Sequence, residues 1–154
     1  MSPRAAARLV LLGLERVMHY PGGKVDWMGA GLATEGENAT RPRAGTVARK
    51  DFAVCGPGDR LGDVRADNGV AVVVDSERVV LGLLREKELA RDGDARVDDV
   101  MVCGPSTFRP HVPIEEMADY MTEHDLESAP ITTSDGRVVG VLFREDAVRE
   151  AARL

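Results

Sequence analysis

Two similar stretches of this sequence each close on an acidic residue at the start of a predicted helix. One is SERVVLGLLREKEL at 76–89, and the other is SDGRVVGVLFREDA at 134–147. An offset of 58 residues aligns the two stretches and brings Glu88 onto Asp146. A carboxylate in the first turn of a helix is stabilised by the helix dipole by about 0.3–1 kcal/mol. It can also accept hydrogen bonds from a ligand, so these two acids are the first candidates for a binding site.

The other reactive side chains form no recognisable chemical site. Cys55 and Cys103 are too few for a disulfide framework and form no C-x-x-C pair, so we expect buried or half-buried free thiols. No histidine has metal-ligand spacing, although Glu115 follows His111 by four positions. The stretch PGGK at 21–24 lacks the spaced first glycine and the final Ser or Thr of a P-loop. We therefore expect no catalytic residue and no metal site.

Composition limits the class of protein. The chain has 154 residues, and only 4% are aromatic, so we expect an aliphatic core in one domain or two small repeated units. A net charge of −6 argues against a nucleic-acid-binding surface. The apolar run 9–14 is stopped by Glu15 and is too short for a signal peptide or a membrane span. We expect a buried helix there and a cytoplasmic protein.

The repeat extends upstream with a different spacing. Val47 aligns with Val100, and Leu61 aligns with Ile114, at an offset of 53 residues. The five-residue difference between the two offsets falls between Leu61 and Val72 of the first copy. Five residues make about one and a half helical turns. We therefore expect the central helix of the first copy to be stunted.

Both copies predict the same order of elements. In the second copy an extended segment at 107–108 precedes a helix with apolar residues at helical spacing. Two strands joined by an Asp-Gly turn follow, and a final helix begins near Arg144. In the first copy, strands at 70–75 and 77–84 precede a helix over 85–91. One copy cannot close a core alone, so we expect the two copies to pack sheet to sheet.

The repeated unit resembles a CBS domain, and the two copies resemble a CBS pair, or Bateman module, over roughly residues 46–154. The family's closing phrase is Gly, two aliphatics, Ser or Thr, two variable residues and Asp, which GVLFRED at 140–146 resembles. DVM at 99–101, with Thr107 and Pro110, matches the opening phrase. The resemblance implies an α/β fold of two β-α-β-β-α repeats packed sheet to sheet, with a short N-terminal α/β extension.

Residues 1–37 resemble the last portion of a rhodanese-like domain, in which a helix and a strand lead to a glycine pair. The matching residues are Gly22, Gly23, Trp27, Gly31 and Leu32. The first cysteine of the chain is Cys55, after this segment, so we do not expect sulfur transfer. We expect the segment to be a truncated remnant that packs on the repeats through Trp27 and Leu12.

These resemblances divide the chain into four parts: a truncated rhodanese-like segment at 1–37, a linker at 38–45, a first CBS repeat at 46–96 and a second at 97–154. CBS pairs commonly bind AMP, ADP, ATP or S-adenosylmethionine in clefts between the copies. The resemblance therefore implies a nucleotide-binding site, with the Asp146 carboxylate accepting hydrogen bonds from both ribose hydroxyls. The residues at the family's remaining ligand positions are Thr107, Phe108, Ala129 and Pro130 for adenine and Arg144 for phosphate.

The sequence departs from the family at the hydroxyl position of each closing phrase. Phe143 stands there in the second copy, where it would either stack on adenine or fill the pocket. Arg85 stands there in the first copy, where it would pair with a phosphate or with a neighbouring glutamate. Glu88 replaces the first copy's aspartate and moves the carboxylate outward by one methylene. The alternatives without a binding role are that Asp146 is only a helix-terminal acid and that Phe108 belongs to the core.

The resemblance implies a non-catalytic regulatory module that senses an adenosine nucleotide and needs no other cofactor. It also implies a homodimer, and a separate effector protein that reads the signal. The main alternative is a degenerate CBS pair that binds no nucleotide and acts as a dimerisation or interaction scaffold. A sulfurtransferase based on the N-terminal segment is the third hypothesis.

Overall fold

The helices and strands follow one order twice, after two helices at the N-terminus. The computed structural model describes residues 3–36 and 39–154. The helices are α1 (Pro3–Leu11), α2 (Gly23–Gly29), α3 (Ala44–Val47), α4 (Glu86–Leu89), α5 (Val97–Val100), α6 (Ile114–Glu123) and α7 (Arg144–Ala151). The strands are β1 (Ala53–Cys55), β2 (Val70–Val74), β3 (Val80–Arg85), β4 (Val102–Cys103), β5 (Ser128–Thr132) and β6 (Val138–Phe143). A short 3₁₀ helix spans Leu61–Asp63.

The two sheets are built alike. Strands β1 to β4 form one sheet in that order, with β1 parallel to β2 and the other neighbours antiparallel. Strands β5 and β6 form an antiparallel pair that single bridges extend at both edges. One such bridge joins Phe108 to Ile131 and matches, at the two repeat offsets, the pairing of Cys55 with Val73. The predicted repeat is therefore confirmed down to the register of its strands.

The beginning of each copy packs on the other copy. We call residues 43–49 and 96–102 the first and second crossing segments. Ala44 of the first is fully buried in the core formed by the second copy's helices and strands. Val97 of the second is fully buried in the core of the first copy. The two copies therefore exchange segments, and each core contains residues from both.

A repeated glycine makes room for each crossing segment. A Cβ atom on Gly82 would lie 2.5 Å from the Sδ atom of Met101. A Cβ atom on Gly140 would lie 2.9 Å from the Cβ atom of Ala48 and 3.0 Å from the carbonyl oxygen of Arg49. These distances are shorter than normal contacts, so the missing side chain at Gly82 and Gly140 permits the close approach.

A third apolar cluster lies between the two sheets, which confirms the predicted sheet-to-sheet packing. Its buried residues are Val70, Val72, Val74, Leu83, Val138 and Val141. They alternate along β2 with residues that face the first copy's own core, such as Ala71 and Val73. Alternate side chains of a strand point to opposite faces, so β2 is buried on both sides.

The lengths of the helices mostly follow the prediction. The central helix of the second copy is α6, which buries Ile114, Met117, Ala118 and Met121. Its counterpart in the first copy is only the three-residue 3₁₀ helix, so the predicted shortening is confirmed. Helix α4 ends at Leu89, earlier than the predicted 91. Beyond the helix, the Gly93 carbonyl accepts a hydrogen bond of 2.8 Å from the Gly62 N–H.

The N-terminal predictions were wrong. Residues 3–36 contain two helices and no strand, and α1 buries no residue. Leu12, expected in a buried helix, is 68% exposed, and Trp27 is 38% exposed with its indole N–H donating to the Ala33 carbonyl at 2.8 Å. This segment instead contacts the repeats through Asp26, which accepts a hydrogen bond of 2.7 Å from the Ser134 hydroxyl. The rhodanese-like interpretation of residues 1–37 is therefore not supported.

The cysteine prediction was right for one residue and wrong for the other. Cys55 is buried, and burial together with the nearby Asp59 charge raises the pKa of its thiol to about 11. Cys103 is exposed because β4 lies at the edge of its sheet.

Across residues 3–36 and 39–154, no helix has the length and apolar character needed to cross a membrane.

Candidate functional site

Asp146 is the most buried carboxylate among the candidate residues. It lies in the first turn of α7, directly after β6, and is 5% exposed. The next residue, Ala147, packs into the second copy's core and fixes the orientation of the helix. The Arg144 N–H donates to the Glu127 carbonyl at 3.0 Å, which ties the helix start to β5. The Asp146 side chain is therefore held in one place by the packing around it.

Two arginines satisfy the Asp146 carboxylate. The Nε atom of Arg49 donates to Oδ2 of Asp146 at 2.6 Å, and Arg149, one turn along α7, donates to Oδ1. The Nη2 atom of Arg49 donates to Oε1 of Glu145, also at 2.6 Å. The Arg49 guanidinium also lies 4.4 Å from the ring centre of Phe143, a cation–π distance. Arg49 therefore contacts Phe143, Glu145 and Asp146, around the start of α7.

The electrostatic balance keeps this carboxylate ionised. Burial alone raises the pKa of Asp146, but the hydrogen bond and charge of Arg49 and the charge of Arg149 outweigh it and lower the pKa below its ordinary value. The Asp146 hydrogen bond in turn raises the pKa of Arg49. At neutral pH the site therefore contains a fixed negative charge between two positive ones.

An open cleft of about 520 Å³ adjoins Asp146. Its walls come from the chain before α3, from the first crossing segment and from α7. The lining residues are Ala39, Thr40, Arg41, Pro42, Thr46, Val47, Arg49, Asp146, Arg149 and Glu150. The volume falls within the range of small-molecule sites, and the polar groups converge on one buried acid. This cleft is the candidate site.

Four of the predicted ligand residues lie elsewhere. Ala129 is buried in the second copy's core, and Pro130 is buried on the opposite face of β5. Phe108 packs against that core, with its ring centre 5.1 Å from that of Tyr120, as the alternative interpretation expected. Thr107 is exposed just before it. None of these four lines the cleft beside Asp146, and their contact with a nucleotide stays a prediction.

The two residues that flank the acid are already engaged. Phe143 packs against the cluster between the sheets, and Arg49 covers a face of its ring. Arg144 donates from Nη1 to Oδ1 of Asp125 at 2.7 Å. Arg144 therefore points to a different acid from the one that faces the cleft, and a phosphate role for it stays a prediction.

The acid of the first copy has different surroundings. Glu88 is 7% exposed, and its Oε2 accepts a hydrogen bond of 3.1 Å from the Arg85 backbone N–H. Within the described part of the chain, no arginine forms an ion pair with Glu88. The repeat offset of 53 places Val102 where the second site has Arg49. Glu88 therefore acts here as a helix-terminal acid.

Sequence reasoning missed Arg41, Arg49 and Arg149. Arg149 could have been found, because it follows Asp146 by three positions and shares its helix face. Arg49 lies 97 positions before Asp146, and only the exchange of crossing segments brings the two together.

No group of three or more potential metal ligands occurs among the residues that the structure describes.

The second repeat matches a known family, and curated relatives match parts of the chain. Residues 97–153 match the family model described as CBS domain. An inosine-5'-monophosphate dehydrogenase of Nitrosopumilus maritimus is 30% identical over 49% of this chain, but the chain spans only 16% of that enzyme. Hypoxic response protein 1 of Mycobacterium tuberculosis is 29% identical over 80% of this chain and 81% of its own length. The match to the enzyme therefore covers only a small part of it.

Solved structures share the fold. CBSX2, a CBS-pair protein from Arabidopsis thaliana solved in complex with AMP, matches 73% of this chain and 97% of its own, with a TM-score of 0.62 and 20% identity. The cytosolic domain of the Mg²⁺ channel MgtE in complex with ATP matches 70% of this chain and 48% of its own, with a TM-score of 0.64 and 23% identity. The predicted α/β fold of the CBS-pair type is thereby confirmed.

Proposed function

We propose that this chain, which carries a CBS domain at residues 97–153 within a fold of the CBS-pair type, is a non-catalytic regulatory module. Its ligand would be an adenosine-containing nucleotide, AMP, ADP, ATP or S-adenosylmethionine, bound in the cleft beside Asp146. The proposal is supported by solved structures of similar fold that contain AMP or ATP. The proposal also includes a cytoplasmic location and a homodimer.

The observation that carries the proposal is a buried, ionised carboxylate at the wall of an open cleft. Asp146 is 5% exposed, yet it lines about 520 Å³ of accessible space. Ribose offers two adjacent hydroxyl donors, and a carboxylate with two oxygens can accept both in charge-assisted hydrogen bonds. A carboxylate that only stabilises the start of a helix does not need to be buried or to face a cleft. The placement of Asp146 therefore favours a binding role.

Ligand binding would require Arg49 to leave Asp146. Arg49 belongs to the first crossing segment, which packs on the second copy and continues into β1 of the first copy. Its release would therefore change the contacts between the copies. A ligand shifts this equilibrium only if its affinities for the two arrangements differ. A separate effector protein, or the other chain of a homodimer, would then respond to the altered packing.

A thermal-shift panel tests the proposal. The purified protein is melted with AMP, ADP, ATP and S-adenosylmethionine at up to millimolar concentrations. A ligand at one hundred times its Kd stabilises the folded state by about 2.7 kcal/mol, which corresponds to roughly 5–10 °C for a chain of this length. We expect a shift with at least one ligand and its loss in Asp146→Ala. The absence of any shift would contradict the proposal.

The alternative is a scaffold without a ligand, and one observation favours it. Both oxygens of Asp146 already have arginine partners, and Phe143 fills the position of the family's hydroxyl residue. An Asp146 that only joins α7 to the first crossing segment would explain its burial equally well. In that case Asp146→Ala would lower the melting temperature, and none of the nucleotides would raise it in the unmodified chain.

A further inference from the structure

We propose that the cleft beside Asp146 selects adenosine ligands that carry phosphate, and disfavours adenosine and S-adenosylmethionine. This inference rests on the proposed function and narrows its ligand class to AMP, ADP and ATP. It derives from the arginines that line the cleft. None of these arginines is among the family's ligand positions named above.

Three guanidinium groups line the cleft, and each has an acidic partner in the absence of ligand. Arg49 and Arg149 bind Asp146, and Arg41 donates from Nη2 to Oε1 of Glu115 at 2.6 Å. A guanidinium stays protonated at physiological pH. When a ligand displaces it from its carboxylate, it therefore needs another anionic partner or water. The identity of that partner sets the ligand class.

Ribose binding removes the carboxylate from two of these arginines. If the two hydroxyls occupy Oδ1 and Oδ2 of Asp146, then Arg49 and Arg149 lose those hydrogen bonds. A terminal phosphate carries about −1.5 to −2 charges at pH 7 and offers three acceptor oxygens. The planar guanidinium fork matches such oxygens in a bidentate arrangement. A phosphate on the same ligand therefore replaces the interaction that the ribose displaces.

An adenosine ligand without phosphate offers a weaker replacement or none. Adenosine leaves Arg49 and Arg149 facing the cleft without an acceptor. S-adenosylmethionine has one carboxylate, but its sulfonium and ammonium groups give the molecule a net positive charge that repels the same arginines. Both ligands would bind more weakly than AMP for an electrostatic reason, even if their adenine contacts were identical.

The equivalent position in the first copy keeps only one of the three arginines. The offset of 53 places Asp94 at the position of Arg41 and Val102 at the position of Arg49, whereas the offset of 58 places Arg91 at the position of Arg149. The first-copy position therefore has less positive charge with which to attract a phosphate. We infer one phosphorylated ligand per chain, bound at the second-copy acid.

Isothermal titration calorimetry of the full chain with AMP, ATP, adenosine and S-adenosylmethionine tests this specificity. The variants are Arg149→Gln, whose side chain is 58% exposed and therefore tolerant of replacement, and Arg91→Gln, its counterpart in the first copy. We expect AMP and ATP to bind at least about tenfold more tightly than adenosine or S-adenosylmethionine, at one site per chain. Arg149→Gln should weaken ATP binding by about tenfold without weakening adenosine binding, whereas Arg91→Gln should change neither.

The outcomes separate the two proposals. If S-adenosylmethionine or adenosine binds as tightly as ATP, the phosphate specificity is wrong while the nucleotide-binding function stands. If ATP affinity is the same in Arg149→Gln and Arg91→Gln, the assignment of the arginines is wrong. If none of the four ligands binds the unmodified chain, both proposals fail. Circular dichroism of each variant verifies that a loss of binding is not a loss of fold.

Discussion

The two acids Asp146 and Glu88 occupy equivalent places in the repeat but have different hydrogen-bond partners. Both lie in the first turn of a helix that follows a strand, and both are nearly buried. Asp146 faces Arg49 of the first crossing segment, whereas the corresponding residue of the second crossing segment is Val102. The duplication therefore preserved the backbone frame, while the side chains that cross between copies determine the charge of each site.

The largest expected effect on stability comes from replacing the glycines that pack against the two crossing segments. Gly140→Ala places a methyl group against the Ala48 side chain and the Arg49 carbonyl, which is backbone and cannot move aside. Gly82→Ala meets mainly the end of the flexible Met101 side chain. We expect losses of about 3 kcal/mol for Gly140→Ala and about 1 kcal/mol for Gly82→Ala. Urea denaturation measures both, and equal losses would show that the two crossings are equally tight.

The next effect compares the two acids by removing their charge alone. Asp146→Asn keeps the shape but weakens the hydrogen bonds to Arg49 and Arg149, for a loss of about 2 kcal/mol. Glu88→Gln loses only the charge that caps a four-residue helix, for a loss of about 0.5 kcal/mol. Denaturant midpoints of the two variants check this order. A larger loss in Glu88→Gln would contradict the account of Asp146 as the paired acid.

A pH series sharpens the same comparison. The folded-state pKa of Asp146 lies below its ordinary value of 3.8, so its ionisation contributes stability above that pH. This contribution is lost as the pH falls through the lowered folded pKa. We expect Asp146→Asn and the unmodified chain to differ in stability at pH 7 and to converge in strongly acidic solution. The free energy of unfolding from pH 7 down to pH 2 measures the effect, and a constant difference would contradict it.

The smallest expected effect comes from giving the first copy the arginine that it lacks. Val102→Arg introduces a cation at the position that the repeat offset makes equivalent to Arg49. Val102 lies on an edge strand and is exposed, so the new pair should add no more than about 1 kcal/mol. The expected sign is an increase in melting temperature at low salt that disappears at high salt. A decrease at low salt would show that the two copies are not equivalent there.

Much of the fold could be predicted from the sequence, because it depends on local patterns and on their repetition. The apolar runs of β2 and β3, the Asp-Gly turn before Arg137 and the helical spacing of α6 each depend on neighbouring residues. The five-residue deletion was visible as a difference between two offsets, and it appears as a 3₁₀ helix at Leu61–Asp63. The N-terminal segment was mispredicted because its leucines suggested burial, although α1 buries no residue.

The candidate site was predicted only in part. Asp146 was identified, because its place in the repeated phrase marks it. Phe108 and Ala129 were expected near it because they stand at the family's adenine positions, but in the structure they lie on the core side of β5. The walls of the cleft come instead from the chain around Arg41 and Arg49.

The sequence by itself determined that the chain has two copies of one α/β unit, and that each copy closes on an acid at the start of a helix. Periodicity and turn residues are local properties, and they survive without knowledge of the three-dimensional structure. Only the tertiary structure decided that Arg49 meets Asp146. Gly140 lets the first crossing segment pack against β6 of the other copy, and this packing brings Arg49 to Asp146 across 97 positions of the chain.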